Sequence, residues 1–354
     1  MGTRMPDRRR NNSSSTPTLS EVADAANVSS ATVSRAFSRP ELLSRETVAR
    51  VHSVAARLGY VPNHAARALS TGRMGNIALI VPDITNPFFA AMMRGGQATA
   101  RECGYATFIG DSDETPEVED ILLTKLSAQV EGFIIASSRL HTKQILEHAR
   151  RRPCVLVNRD IPGMARLLVD SGPSYGQALE HLVSLGHRSI AYVAGPAFSW
   201  SNSQRYGTVT RRAAELGVEI VRVPTSRPSF EAGQACVDEL VLTGATAVLA
   251  FDDVMAQGIM AGLAARGLSV PGDYSVIGCD GILAPTLFPP LTSIATHCAE
   301  AGRQAVELLV AMLQGKPLAH KRINLVTEFV IRATTQAPCS QRETAGLDRL
   351  TTTE

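Results

Sequence analysis

Apolar positions change rhythm along this chain. Between Thr18 and Tyr60 they recur at helical spacing in three short bursts. Thr18-Leu19-Ser20-Glu21 has the form of a capping box, with Thr18 capping and Glu21 reaching back, and predicts a helix over Leu19–Ala26. Asn27 tolerates the left-handed conformation of a tight turn. Ser29 caps a second predicted helix, Ser30–Phe37, and Arg39-Pro40 breaks the chain after it. Ser44 caps a third, Arg45–Leu58, whose Val48, Val51, Ala55 and Leu58 repeat at helical spacing before Gly59 ends it. Val28 and Val33 are expected to face the core of this small all-α unit. From Asn76 the pattern differs. Short apolar runs at Ile77–Val81, Thr107–Gly110, Phe133–Ala136, Cys154–Asn158, Ser189–Val193, Ala247–Phe251 and Tyr274–Gly278 are interleaved with helical stretches such as Phe88–Cys103, Val118–Gln129 and Thr142–Arg151. Such alternation predicts parallel, doubly wound sheets. The strands are too many for one small sheet, so two Rossmann-like α/β lobes with a cleft between them are expected. Ligands in such folds bind beyond the carboxyl ends of the strands.

Composition sharpens this picture. With 354 residues, 44% of them hydrophobic, the chain can build two or three compact units. The net charge of +2 conceals an asymmetry. Up to Gly75 there are eleven arginines, no lysine and five acids, so a basic head precedes a mildly acidic body. Only the head is suited to a polyanion. Cys103, Cys154, Cys236, Cys279, Cys298 and Cys339 form no CxxC pair and sit in or beside apolar stretches, which fits small buried hydrophobes in a reducing cytosol. No apolar run is long enough to span a membrane, and Arg8-Arg9-Arg10 is followed by serines rather than an apolar segment. A cytoplasmic protein is expected. The start of the chain reads as a solvated tail, with the basic triplet as a second candidate for phosphate contact. Enzyme signatures are missing: no GxGxxG follows a strand, there is no P-loop, HExxH or GxSxG, and the eight histidines form no metal-spaced pair. No catalytic residue, cofactor or metal is expected.

Several strings carry a resemblance. Leu19-Ser-Glu-Val-Ala-Asp-Ala-Ala-Asn-Val-Ser-Ser-Ala-Thr-Val-Ser-Arg35 closely resembles the head of lac-repressor-type (LacI/GalR) transcriptional regulators. So do Gly59-Tyr60-Val61-Pro62-Asn63, Asp83-Ile-Thr-Asn-Pro-Phe-Phe89, Leu185-Gly-His-Arg188, Val270-Pro271 and Ser275-Val-Ile-Gly-Cys-Asp280. Together and in order they are specific, and the likeness runs from Thr18 to Thr335. It implies a helix-turn-helix head, a hinge helix and a core like periplasmic sugar-binding proteins. It also implies a homodimer on a palindromic operator (a tetramer being the other assembly it allows) and an effector in the interlobe cleft that changes DNA affinity. The expected layout is a tail over 1–17, a DNA-binding domain over 18–60, a hinge and linker over 61–75, a core over 76–335 and a flexible tail over 336–354. Within the core, lobe 1 takes about 76–170 plus 298–324 and lobe 2 about 171–297 plus 325–335. The chain would cross between lobes near Ser171, Thr296 and Asn324.

A recognition helix sets its first residues against base edges in the major groove. Here those are Ser30 and Ala31, with Arg35 one turn later. Arginine binds guanine O6 and N7 in bidentate fashion, so Arg35 is the leading candidate for a base contact. Ala31 offers apolar contact, for example to a thymine methyl. Ser29, Thr32 and Ser34 have short hydroxyls suited to phosphates, which position without specifying. In the hinge, Asn63, His64 and Arg67 lie where phosphate contacts would fall, and small residues such as Ala66 permit close backbone approach. Leu69 matches the family leucine that wedges into the minor groove. The competing role for Leu69 is packing beneath the core.

The effector candidates are Asn86, Phe88, Ser137, Asn158, Ser201, Arg205, Phe230, Asp252 and Asp280, all matching cleft positions of the family. Carboxylates and arginine pair with vicinal hydroxyls, and aromatic faces cover a sugar ring, so a sugar-like effector is favoured. Asp252 departs from the asparagine common in the family. A nucleobase sandwiched between Phe88 and Phe230 is the alternative ligand. Structural roles compete: Asp253 as cap of a helix Val254–Arg266, Phe88 and Phe89 as core, and Arg205 in an ion pair. Two other classes, an enzyme on this fold and a secreted binding protein, lack their signatures. Repression is the default mode, since an operator-bound dimer blocks polymerase.

Overall fold

The computed structural model describes residues 17–61 and 74–339. It contains two compact units, one up to Met74 and one from Gly75. The first unit holds α1 (Leu19–Ala26), α2 (Ser30–Ser38) and α3 (Arg45–Leu58), with a 3₁₀ turn at Pro40–Leu42 after Arg39. Each start is capped as its sequence dictates. The Thr18 N–H donates to Glu21 Oε2 at 2.6 Å, and the Ser29 and Ser44 hydroxyls accept from the N–H groups of Thr32 and Thr47. Asn27 (φ 52°) and Gly59 (φ 69°) close α1 and α3 in the left-handed conformation. Val22, Ala26, Val33, Ala36, Val51 and Val54 meet in the centre, and Val28, Phe37 and Tyr60 pack around them. The face of α3 is turned slightly from expectation. Val54 is buried, whereas Leu58 is exposed and Val48 half-buried.

The second unit contains two six-stranded sheets. Sheet one comprises β1 (Asn76–Val81), β2 (Ala106–Asp111), β3 (Gly132–Ala136), β4 (Cys154–Val157), β5 (Ala165–Asp170) and β11 (Arg322–Val326), in the order β11-β5-β4-β3-β1-β2. All its pairings are parallel. Sheet two comprises β6 (Ser189–Val193), β7 (Glu219–Val223), β8 (Ala247–Ala250), β9 (Ser275–Asp280), β10 (Thr292–Ala295) and β12 (Glu328–Val330), in the order β12-β10-β9-β8-β6-β7. The sequence of neighbours is the same in both lobes. Only β12 runs antiparallel, on β10. This is the doubly wound order whose switch point lies between the first and third strands of each lobe.

Helices cover both faces of each sheet. Sheet one lies under α4 (Pro87–Glu102) and α12 (Cys298–Leu313) on one side and α5 (Pro116–Leu126) and α6 (Thr142–Arg151) on the other. In the second lobe, α7 (Gly172–Ser184) and α8 (Trp200–Leu216) cover one face. The opposite face carries α9 (Phe230–Ala235), α10 (Val237–Leu242) and α11 (Asp253–Ala265). The central strands β1, β3, β4, β8 and β9 are buried on both faces, which explains their near-continuous apolar runs.

The chain passes between the sheets at Ser171, at Thr296–His297 and at Thr327. Asn324 is not at the third crossing; it pairs with Leu168 inside β11, so the lobe boundary lies three residues later. The core also extends past Thr335. The Gln336 amide donates to Pro271 O at 2.6 Å and its carbonyl accepts from the buried His187 ring at 2.9 Å. Among the described residues no helix is long and apolar enough to cross a membrane.

Candidate functional site

On the head, α2 presents one polar face. Ser29, Ser30, Ala31, Ser34 and Arg35 are exposed, whereas Val33 and Ala36 on the opposite side are buried. Periodicity alone produces this division, because the buried pair is three residues apart and fills the head core. Ser29 and Thr32 are partly committed: their hydroxyls lie 2.9 Å apart while Ser29 caps the helix. Behind the helix, the His52 ring reaches Ala36 O at 3.3 Å and stands 4.6 Å from the Phe37 ring, which fixes α3 against α2. The hinge candidates Asn63, His64, Ala66, Arg67 and Leu69 lie outside the described residues.

In the core, eight of the nine effector candidates line one cavity, at the carboxyl ends of both sheets. Asn86 caps α4 after β1 and Phe88 lies in its first turn, Ser137 comes from the end of β3 and Asn158 from the end of β4. The other lobe contributes Ser201 and Arg205 on α8, Asp252 after β8 and Asp280 at the end of β9. Three of these residues have left-handed or otherwise positive φ without being glycine: Ser137 at 46°, Asn158 at 53° and Asp280 at 110°. Strained backbone of this kind clusters at ligand sites.

Arg205 is the centre of the cavity. Its Nε donates to Ser171 Oγ at 2.8 Å and its Nη1 to Phe251 O at 2.6 Å, and its guanidinium lies 4.8 Å from the Phe251 ring centroid. Its described partners are thus a hydroxyl, a carbonyl and ring faces rather than a carboxylate. Burial works against its charge, but Cys279, Tyr175 and Asp280 nearby outweigh burial and raise its pKa. It remains a cation, next to the first crossing. Asp280 is pushed well above the carboxylate range by burial, against the pull of Arg205. Asn158 accepts the Val169 N–H on Oδ1 at 2.9 Å, which leaves its NH₂ as the free end.

Asp252 corrects the assignment of the helix cap. It, not Asp253, caps α11, because its Oδ1 accepts the Met255 N–H at 2.8 Å. Its Oδ2 accepts from Asn86 Nδ2 at 3.0 Å, and this bond joins the two lobes across the cavity. Burial raises its pKa, against the Met255, Asn86 and Arg205 interactions. Asp253 occupies the first turn and accepts the Ser293 hydroxyl at 2.6 Å. Phe88 and Phe89 are both buried and both line the cavity, edge to face at 5.0 Å.

Phe230 is the candidate that the structure does not bring to the cavity. It opens α9 behind the Ser229 cap and lines a separate recess with Phe288 and Leu287. The reason is backbone packing. An added Cβ on Gly258 of α11 would lie 2.0 Å from Phe230 O, so the two helices touch main chain to main chain and hold Phe230 on their outer side. The sandwich of Phe88 and Phe230 around a base is therefore not formed.

The cavity also includes Phe89, which the sequence offered only as core, and residues that the sequence reading passed over, among them Phe251, Ser199 and Pro228, with Glu114 and Arg139. Glu114 and Arg139 form a two-pronged ion pair, with Arg139 Nη2 at 2.9 Å from Glu114 Oε1, while Arg139 Nη1 holds Ser137 O at 2.8 Å. Arg139 thus orients the Ser137 turn. A second polar link between the lobes joins Arg227 Nη2 to Asp113 Oδ1 at 2.5 Å. The free space inside the cavity is about 30 Å³. Among the described residues no group of His, Cys, Asp and Glu could hold a metal ion.

Comparison with known proteins fits this division of labour. Residues 18–63 match the bacterial regulatory proteins of the lacI family, and residues 179–335 match a periplasmic binding protein-like domain. The chain is 34% identical over 333 residues to the HTH-type transcriptional repressor CytR of Escherichia coli K12, covering 90% of this chain and 96% of that protein. It is similar to the lac repressor dimer bound to operator and the anti-inducer ONPF, at 26% identity and a TM-score of 0.82, covering 91% of this chain and 100% of the other. It is also similar to a LacI family transcriptional regulator of Enterococcus faecium with bound ribose, at 31% identity and a TM-score of 0.67, covering 74% of this chain and 99% of that one.

Proposed function

This chain belongs to the lacI family of bacterial regulatory proteins, and from that premise we propose that it binds a palindromic operator as a homodimer under the control of a sugar-like effector. It is a DNA-binding transcriptional repressor and not an enzyme. In the proposed reading, α2 enters the major groove, Arg35 reads a base edge, and Ser30 and Ala31 make short-range contacts. Ser29, Thr32 and Ser34 address phosphates. Asn63, His64 and Arg67 extend those contacts through the hinge, Ala66 lets the backbone approach closely, and Leu69 kinks the duplex from the minor groove. The effector sits among Asn86, Phe88, Ser137, Asn158, Ser201, Arg205, Asp252 and Asp280. The repressor works in the cytoplasm, on the nucleoid.

One observation carries the DNA reading: the exposed Ser29–Arg35 face of a capped helix whose other side fills the head core. Selection of bound sequences from random duplexes tests it. Two inverted half-sites should emerge, with Arg35 setting the preference at one base pair in each. Enrichment of no sequence, or of one unrepeated half-site, would overturn the dimeric reading. A ribose-bound relative and the paired donors and acceptors of the cleft support the sugar-like effector. Heat stability of the full chain with sugars, repeated with operator present, tests that part. An effector that stabilises the chain and changes operator affinity is required.

A further inference from the structure

The end of lobe 1 to which the head is attached carries a charge that none of the functional assignments uses. The six strands of sheet one are parallel, so their amino ends form one row, marked by Ala106, Asn76, Gly132, Cys154, Ala165 and Arg322. The chain enters this row at Gly75. Its carbonyl accepts the Ala106 N–H at 2.8 Å, and its N–H donates to Glu131 Oε1 at 2.7 Å. A helix precedes each of β2, β3, β4 and β11, so α4, α5, α6 and α12 all end on the same row. With neighbouring strands about 4.8 Å apart, the row is roughly 24 Å long, the length of about seven base pairs.

This end is basic. Arg101 on α4, Lys125 on α5 and Arg150 and Arg151 on α6 sit in last turns, Lys316 follows α12, and Lys321 leads into β11. All six are exposed, and among the described residues none is paired with an acid. Of the acids nearby, Glu131 is occupied by the Gly75 N–H and Asp160 is held by Arg166 and Arg322, which leaves Glu102 and Glu147 exposed. A helix dipole favours cations at a carboxyl end. It does not account for this row, because lobe 2 repeats the strand order and the helix ends without the cations. There α8, α10 and α11 have no base in their last turns, and Glu215, Glu219 and Glu239 lie at that end. The core as a whole is mildly acidic, so a basic face where the DNA-binding head joins it is a local departure.

We propose that this end of lobe 1 is a second DNA surface, which holds backbone phosphates of the duplex flanking the operator and reads no bases. Exposed arginines and lysines without acidic partners neutralise phosphates and release the counterions condensed on them. These cations stand on helix ends and strand starts, not on a helix that could enter a groove, so the contact positions without specifying. Tethering strengthens it. Once the head occupies its operator, the flanking duplex is held at high effective concentration near the point where the core is attached. Affinity then grows with duplex length and falls steeply with salt.

Salt titrations of the full chain test this on the operator recovered by selection, made once as a bare duplex and once with about 15 further base pairs on each side. The proposal rests on the operator reading of the head, whose own failure, no sequence enriched, is seen before these titrations begin. The flanked duplex should bind more tightly, and its slope of log K against log salt should be steeper by roughly 2–4, at about 0.9 per phosphate. Arg150→Glu with Arg151→Glu should remove most of that extra slope and weaken the flanked duplex about ten-fold, with the bare operator bound within about two-fold. Lys125→Ala with Lys321→Ala, on other elements, should lower the slope in the same sense by about 1–2 and serves where the first pair does not fold. Equal slopes on the two duplexes would overturn the proposal, as would substitutions that weaken both duplexes alike. Substitutions that leave both duplexes untouched would also overturn it, and would turn this end into a surface for an acidic or phosphorylated protein.

Discussion

Single residues carry most of the recognition. On the exposed face of α2, Arg35 combines a full charge with five donors, whereas Ser30 and Ala31 are small. Losing a bidentate contact to guanine removes roughly 1–3 kcal/mol of discrimination. Arg35→Ala should therefore weaken operator binding about 5- to 150-fold while binding to unrelated duplex changes much less, as read by fluorescence anisotropy at fixed salt. Equal losses on both duplexes would reduce Arg35 to a phosphate contact. Asp253 makes a different prediction. Burial raises its pKa from 3.8 to about 6, against the Ser293 hydrogen bond. The folded chain then holds more protons than the unfolded one between those two values, so this group's contribution to stability falls as pH rises through that window. The full effect is about 3 kcal/mol. Asp253→Asn should flatten that part of the pH dependence in urea melts at pH values on either side of the window. An unchanged slope would mean that the carboxyl is not what titrates. Two of the cavity residues that escaped sequence reading, Glu114 and Arg139, share a cause. Glu114 has φ 59° and precedes α5, and Arg139 acts through a turn at Ser137 with φ 46°. Nothing in residue type announces a left-handed backbone at a serine or glutamate, so the direction of these side chains emerges only in the fold.

At the level of elements, rhythm was informative where an element is buried on one or two whole faces. The three head helices and their caps, and β1, β3 and β4, follow directly from spacing and cap chemistry. The edge strands β7, β11 and β12 do not, although the edge strand β2 does. β11 alternates between exposed and half-buried positions and β7 is mostly open to solvent, so neither forms an apolar run. Partners that are remote in sequence make them strands: β11 pairs with β5 and β12 with β10. The same remoteness hides the joint between α4 and α12. A Cβ added at Gly95 would sit 2.1 Å from Ala299 O, and one at Gly302 would sit 1.9 Å from Met92 O. The two helices meet backbone to backbone, and the start of α4 carries Asn86 as its cap and Phe88 in its first turn. Gly95→Ala must push the helices apart, and overpacking of this kind costs roughly 1–3 kcal/mol. A lowered melting temperature is expected, together with weaker effector binding because the Asn86 turn moves with α4. A melting temperature equal to that of the unchanged chain would show that the joint has slack.

The whole molecule must reconcile a closed cleft with a ligand that enters it. Among the described residues, polar links at the facing ends of the lobes include Asn86 to Asp252 inside the cavity, and Arg227 to Asp113 and, at 3.9 Å, to Asp83 nearer the surface. With about 30 Å³ free between the side chains, a sugar ring can enter only if those links part. A ligand that needs a less populated, more open arrangement binds with an affinity reduced by that population. The outer link is the accessible one to test, because the Arg227 side chain is 42% exposed and Asp113 is 70% exposed. An exposed pair of this kind is worth little to stability, on the order of 0–1 kcal/mol, and salt screens it. That small energy nevertheless acts directly on the balance between closed and open lobes. Arg227→Ala should leave the melting temperature nearly unchanged and tighten effector binding by up to about five-fold. Effector affinity of the unaltered chain should rise with salt, and that rise should vanish in the variant. Linkage adds a further requirement: the factor by which effector changes operator affinity must equal the factor by which operator changes effector affinity. If Arg227→Ala moves lobe opening, operator affinity without effector should shift as well, in the direction that effector shifts it in the unaltered chain. An effector affinity that ignores both salt and the substitution would mean that the outer link does not restrain the lobes, leaving Asn86 and Asp252 as the contact that a ligand must break.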